Sequence, residues 1–175
     1  RSVSRGLGDV YKRQIPIFIF DEQITTNLPK NDKRINFIHK NLKKLNDILI
    51  EKFDSKVQVF KGNPIKVIDK IVVDYNVKEV YTNHDYEPYA IKRDNLIYNS
   101  LKSKKIPFYT FKDQVIFEKN EITKDNGSPY VVFTPYMRKW KESLKKNYSF
   151  FEKNEITNNF YNLNKYNLKD INEYG

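Results

Sequence analysis

The chain has 175 residues, 39% of them hydrophobic, a size and apolar content that suit one domain around a single core. It has no cysteine and only two histidines, His39 and His84, which excludes disulfides, thiol chemistry and Cys- or His-rich metal sites. The formal charge of +10 favours a polyanionic partner, although Arg1, Arg5, Lys12 and Arg13 crowd the opening and Lys is frequent throughout. No apolar run approaches the roughly 18 residues that span a bilayer, and the opening lacks the apolar stretch of a signal peptide. A cytoplasmic protein without membrane contact is expected.

The first residue is Arg, and residues 1–14 (RSVSRGLGDVYKRQ) show neither helical nor strand periodicity, so they are read as a non-native or artefactual segment. Ile15–Phe20 (IPIFIF) is a continuous apolar run ending at Asp21, as suits a strand buried on both faces. Ile35, Ile38, Leu42, Leu45, Leu49 and Phe53 then recur at spacings of three and four, which predicts one helical stripe. Asn31 or Asp32 can cap that helix. Val57–Phe60 is a short strand, and Gly62-Asn63-Pro64 turns directly into a helix with Asn63 as its cap and Pro64 at its first position. The inner face of that helix is expected from Ile65, Ile68, Val72 and Tyr75.

A strand at 79–83, a loop through His84-Asp85-Tyr86-Glu87, a helix from about Pro88 to Lys105 and a strand at 107–111 follow. Strands that alternate with helices through short connections predict an α/β fold, a parallel sheet covered on both faces. Gln114–Glu118 reads as a short extended segment and Thr134-Pro135 as the start of another helix running to about Lys146. Residues 147–175, rich in Asn, Lys and Tyr, read as a poorly ordered connector. The string FEKNEIT occurs at 117–123 and at 151–157, too few copies for a solenoid.

The chain carries no Gly-rich phosphate loop and no nucleophile elbow, so no catalytic residue is assigned, and no metal site. Asp85 and Glu87 follow a strand, where open α/β sheets bind ligands. A solvated loop is the plainer reading, more so for His84. Arg93 and Asp94 read as a surface or interdomain ion pair. The run Tyr136 to Lys141 mixes basic and aromatic residues like a nucleic-acid stacking surface, but Tyr136 and Trp140 share one helical face, which favours packing against a neighbouring domain.

Three stretches in order resemble the amino-terminal α/β domain of the DNA photolyase/cryptochrome family. They are IPIFIFDEQ with RINFIHKNLKKLNDIL, then VYTNHDYEPYAIKRD, then GSPYVVFTPYMRKW, spanning residues 15–146. The resemblance implies a Rossmann-like parallel sheet with helices on both faces. Within the family an earlier strand lies at the centre of that sheet, and nothing here matches it. The strands at 15–20 and 79–83 are therefore expected to lack their shared neighbour, leaving a fragment of marginal stability.

Carried over by position, Tyr86 and Glu87, bordered by Asn83 and Asp85, match the place where antenna chromophores are contacted. The resemblance further implies methenyltetrahydrofolate or a deazaflavin as antenna. It places FAD in a separate flavin-binding domain that follows the 147–175 connector. Thr134, Pro135, Tyr136 and Trp140, with Arg93 and Asp94, are then structural or interdomain residues. The full-length protein is expected to be a monomer that splits cyclobutane pyrimidine dimers in damaged DNA by light, and the fragment alone to be inactive. A cryptochrome blue-light photoreceptor, and a stand-alone nucleotide-binding α/β domain, are the alternatives.

Overall fold

In the computed structural model, residues 13–29, 32–146, 159–161 and 167–174 are described. Strand β1 (Ile17–Asp21) runs into a one-turn helix α1 (Glu22–Thr25), started by the Asp21 carboxylate, which accepts from the Gln23 N–H at 2.9 Å. Helix α2 (Lys33–Phe53) follows and is capped by Asp32, whose carboxylate accepts from the Arg34 N–H. The alternative cap, Asn31, lies outside the described residues. Strand β2 (Gln58–Gly62) then lies parallel to β1, with Ile17 opposite Gln58 and Asp21 opposite Gly62.

Gly62 has φ +146°, a conformation that side-chain-bearing residues rarely adopt, and it lets the chain turn directly into helix α3 (Pro64–Asp74). Asn63 caps α3, its side-chain oxygen accepting from the N–H groups of Ile65 and Lys66. Strand β3 (Val80–Asn83), helix α4 (Pro88–Ser103) and strand β4 (Phe108–Phe111) complete a second parallel pair, with Val80 opposite Phe108 and Asn83 opposite Phe111. Helix α5 (Phe133–Lys146) buries none of its residues among those described. Gln114–Glu118, expected to be extended, forms no strand.

The α/β class holds, but the sheet is split. β1 and β2 form one two-stranded sheet, β3 and β4 another, and the two are not hydrogen-bonded to each other. That is the arrangement expected if the strand that belongs between β1 and β3 is not among the described residues. The halves meet through side chains on one face, where Ile17 and Ile19 of β1 and Val80 and Phe108 of β3 and β4 pack with Ile68, Val72, Ile97 and Leu101 of α3 and α4. Ser100 of α4 and Lys104, at its C-cap, both donate to Asp69 of α3, at 2.6 and 2.8 Å, and fix the two helices together.

Because strand side chains alternate between faces, Phe18 and Phe20 point the other way, toward α2. There they join Ile35, Leu42 and Leu49 in a second core cluster. Leu45, expected on that buried stripe, is 44% exposed. Asn46 is buried in its place, and its side-chain oxygen accepts from the Val57 N–H at 2.8 Å, an amide that would otherwise be buried without an acceptor. On α3, Ile68 and Val72 are buried as expected, and Ile71 joins them. The hydroxyl of Tyr75 is buried without a hydrogen-bond partner.

The closing residues depart most from their sequence reading. Where a poorly ordered connector was expected, Tyr174 is 2% exposed and stacks on Phe20 with ring centroids 4.2 Å apart. Leu168 and Ile171 pack on the same cluster, and Phe160 lies against Phe53. Asp170 caps a short 3-10 turn, Ile171–Glu173, and Lys61 donates to the Glu173 carbonyl. Residues 147–158 and 162–166, and the second FEKNEIT string with them, lie outside the described residues. Of the 1–14 segment only Arg13 and Gln14 are described. Gln14 forms a parallel bridge with Phe160.

Candidate functional site

Parallel strands send their carboxyl ends, and the loops that follow, to one edge of the domain, where α/β folds hold ligands. At the end of β1, Asp21 is buried and its Oδ2 accepts from the Tyr89 hydroxyl of α4 at 2.5 Å. Burial and this carboxylate push the Tyr89 hydroxyl up to about 12. Arg93, one turn further along α4, pairs with Asp94 at 2.8 Å and lies in the field of Asp85 and Asp21. The ion pair read from the sequence is therefore present, and it stands at the same edge as the Asp21–Tyr89 link.

At the end of β3 the backbone ladder continues one residue further, the His84 N–H donating to the Phe111 carbonyl at 2.7 Å. The four residues expected to contact a chromophore fan out from there. Asn83 donates to Asp113 at 3.0 Å. Asp85 accepts from the Glu87 N–H, and Glu87 occupies the N-cap position of α4 without a side-chain capping bond. Tyr86 donates to Glu118 at 2.6 Å, and burial together with that carboxylate pushes its hydroxyl up to about 12. Asn83 and Glu87 are exposed, whereas Asp85 and Tyr86 are half-buried.

Two site residues were missed in the sequence. His84, read as a solvated loop residue, has Nδ1 2.5 Å from Glu118 Oε1 and Nε2 2.8 Å from the Thr110 hydroxyl. Glu118 receives both His84 and Tyr86, and those hydrogen bonds, from Tyr86 first, hold its carboxyl below the usual value. Nothing local marks Glu118, because it stands 34 residues from His84 in an irregular segment. Thr134, Pro135, Tyr136 and Trp140 belong to α5 and its first turn, away from the ends of β1 and β3. Trp140 packs edge-on against Phe117 at 5.6 Å and Tyr136 lies near Tyr130.

This edge offers hydroxyl and amide donors beside carboxylate acceptors, with Arg93 and Lys112 among its cations. Among the described residues there is no cluster of metal-ligating side chains. The fold and this edge define an α/β lobe of parallel type with polar side chains at the carboxyl ends of its strands.

The family model for DNA photolyase matches residues 9–154, and the chain belongs to that family. It is 26% identical over 131 residues to a deoxyribodipyrimidine photo-lyase from Synechococcus sp., covering 75% of this chain and 27% of that protein. Among solved structures it is similar to an archaeal photolyase from Sulfolobus tokodaii, described with two FAD molecules (TM-score 0.59, 28% identity, 76% of this chain and 30% of that one). A Synechocystis cryptochrome shares the fold at TM-score 0.64 and 16% identity, over 74% of this chain and 28% of that one. The chain thus spans little more than a quarter of the relatives it matches. No described helix is long and apolar enough to cross a membrane.

Proposed function

We propose that this chain is the antenna-chromophore lobe of a deoxyribodipyrimidine photolyase, the full-length protein repairing cyclobutane pyrimidine dimers in damaged DNA with light. The observation that carries the reading is the family match over residues 9–154, together with the polar side chains gathered at the carboxyl ends of β1 and β3. These side chains fit a planar heteroaromatic ring bearing N–H donors, such as methenyltetrahydrofolate or a deazaflavin. Glu118 and Asp85 offer acceptors, and the Tyr86 hydroxyl can donate or accept. Asn83, Asp85, Tyr86 and Glu87 hold the chromophore in this proposal, while Asp21 and Tyr89 fix the opposite wall.

When bound, the chromophore would absorb light and pass excitation to a flavin. FAD, by the same reading, belongs to a helical domain outside this chain. The 147–175 segment leads to it, and Thr134, Pro135, Tyr136 and Trp140 with Arg93 and Asp94 lie at or near the junction. The fragment alone holds no catalytic residue. The full-length protein is proposed to act as a monomer in the cytoplasm. Similarity to a cryptochrome-1 from Aedes aegypti (25% identity over 122 residues) favours blue-light signalling as the second reading. Light-dependent repair of dimer-containing DNA by the full-length protein decides between them. Repair in the light and none in the dark supports photolyase, and absence of repair by a flavin-loaded protein overturns it.

A further inference from the structure

Glu118 stands where the segment following β4 meets the loop following β3. Its Oε1 accepts from the Tyr86 hydroxyl at 2.6 Å and lies 2.5 Å from His84 Nδ1. The second imidazole nitrogen is 2.8 Å from the Thr110 hydroxyl, so the ring is held from both sides. The Glu118 N–H donates to the Glu121 carboxylate at 2.5 Å, and Glu121 pairs with Lys112 at 2.8 Å. The preceding residue, Phe117, is edge-on to Trp140 of α5.

We propose that Glu118 is the positioning residue of this edge, fixing the Tyr86 side chain and coupling it to the 112–121 segment and helix α5. The coupling to a ligand rests on the reading that Tyr86 lines the chromophore site. Tyr86 has one polar group, its hydroxyl, and Glu118 engages it, so the ring is pinned at its far end. A ligand that takes the Tyr86 hydroxyl away from Glu118 removes one of the two partners held at Oε1. Displacement there loosens the hold on Glu118, and its neighbour Phe117 carries the change to Trp140. Ligand identity is thereby sensed beyond this edge.

Trp140 is the only tryptophan of the chain, so its emission reports on this coupling without interference. The test compares the 175-residue chain with Glu118→Ala, Glu118→Gln and Tyr86→Phe, with far-UV melting as the control for folding. Glu118→Ala is expected to red-shift Trp140 emission and to raise tryptic cleavage at Lys119 about tenfold, as loss of a charged hydrogen-bond acceptor opens the segment. Glu118→Gln, which keeps an acceptor for the tyrosine, restores most of both signals. Tyr86→Phe changes no residue of the 112–121 segment and is expected to reproduce part of both the Trp140 shift and the added cleavage.

If Tyr86→Phe leaves emission and cleavage at wild-type values, Glu118 serves only its own segment and the proposal is overturned. Should Glu118→Ala fail to fold, Tyr86→Phe and Glu118→Gln decide the matter alone by the same criterion. A final arm adds methenyltetrahydrofolate and then a deazaflavin to the wild-type chain. Failure of both to bind while the variants still shift Trp140 counts against the antenna reading and leaves the Glu118 coupling standing.

Discussion

The two halves of the sheet obey the same packing rule with different outcomes. Parallel strands need both faces covered. The β1–β2 half achieves this, with α3 on one side and α2, Leu168, Ile171 and Tyr174 on the other. In the β3–β4 half one face packs on α3 and α4. The other carries Tyr81, Tyr109 and Phe111, stacked on one another yet 59, 43 and 51% exposed. A face is closed only when some segment, near or distant in sequence, brings apolar area to it. In the first half that segment comes from the far end of the chain. In the second, none of the described residues supplies it.

The largest expected effect lies in the closed half. Phe20→Ala removes a 2% exposed ring from under Tyr174 and should cost about 3–5 kcal/mol, whereas Tyr81→Ala in the open half should cost less than about 1 kcal/mol. Urea midpoints of the two variants measure the contrast, and comparable losses would erase it. Next comes a graft: supplying the strand and helix proposed to belong between β1 and β3 should raise the urea midpoint of the chain. Equal midpoints with and without the graft would show that the open half needs no such neighbour.

Asn46→Ala strands the Val57 N–H in the closed half and should cost about 1–3 kcal/mol by the same measurement. Tyr75→Phe, which deletes a buried hydroxyl without a partner, should be neutral or stabilising by up to about 1 kcal/mol.

The alkaline limb gives the subtlest comparison. Tyr89 and Tyr86 both have hydroxyls raised from 10.0 to about 12, so each contributes stability that is present below pH 10 and lost as pH rises toward 12. Tyr89→Phe and Tyr86→Phe should each flatten the fall in melting temperature across that window. A melting curve as steep as that of the wild type would contradict the two hydrogen bonds.

Much of the fold was legible because its signals are local. Asn63-Pro64 starts a helix by satisfying N–H groups within three residues, and an unbroken apolar run ending at Asp21 marks a strand buried on both sides. Alternating strands and helices then require parallel pairing. For the candidate site, the position after a strand pointed only to Asp85 and Glu87, while Tyr86 and Asn83 came from the family resemblance. His84 and Glu118 were not legible. Their partnership depends on where an irregular segment crosses the edge of the sheet, which no periodicity encodes.

Local sequence was enough for the alternation of the four strands with the longer helices, for the Asn63 cap and for the lack of thiol chemistry, all consequences of backbone chemistry and residue identity over a few positions. Tertiary structure alone decided that Asn46 rather than Leu45 turns inward, because an incoming strand presents a bare amide there. It alone decided that Tyr174 closes the core over Phe20 and that Glu118 gathers His84 and Tyr86. The physical reason is common to the three: a buried donor, apolar face or carboxylate is satisfied by whatever group arrives in space, and arrival in space is set by the whole fold.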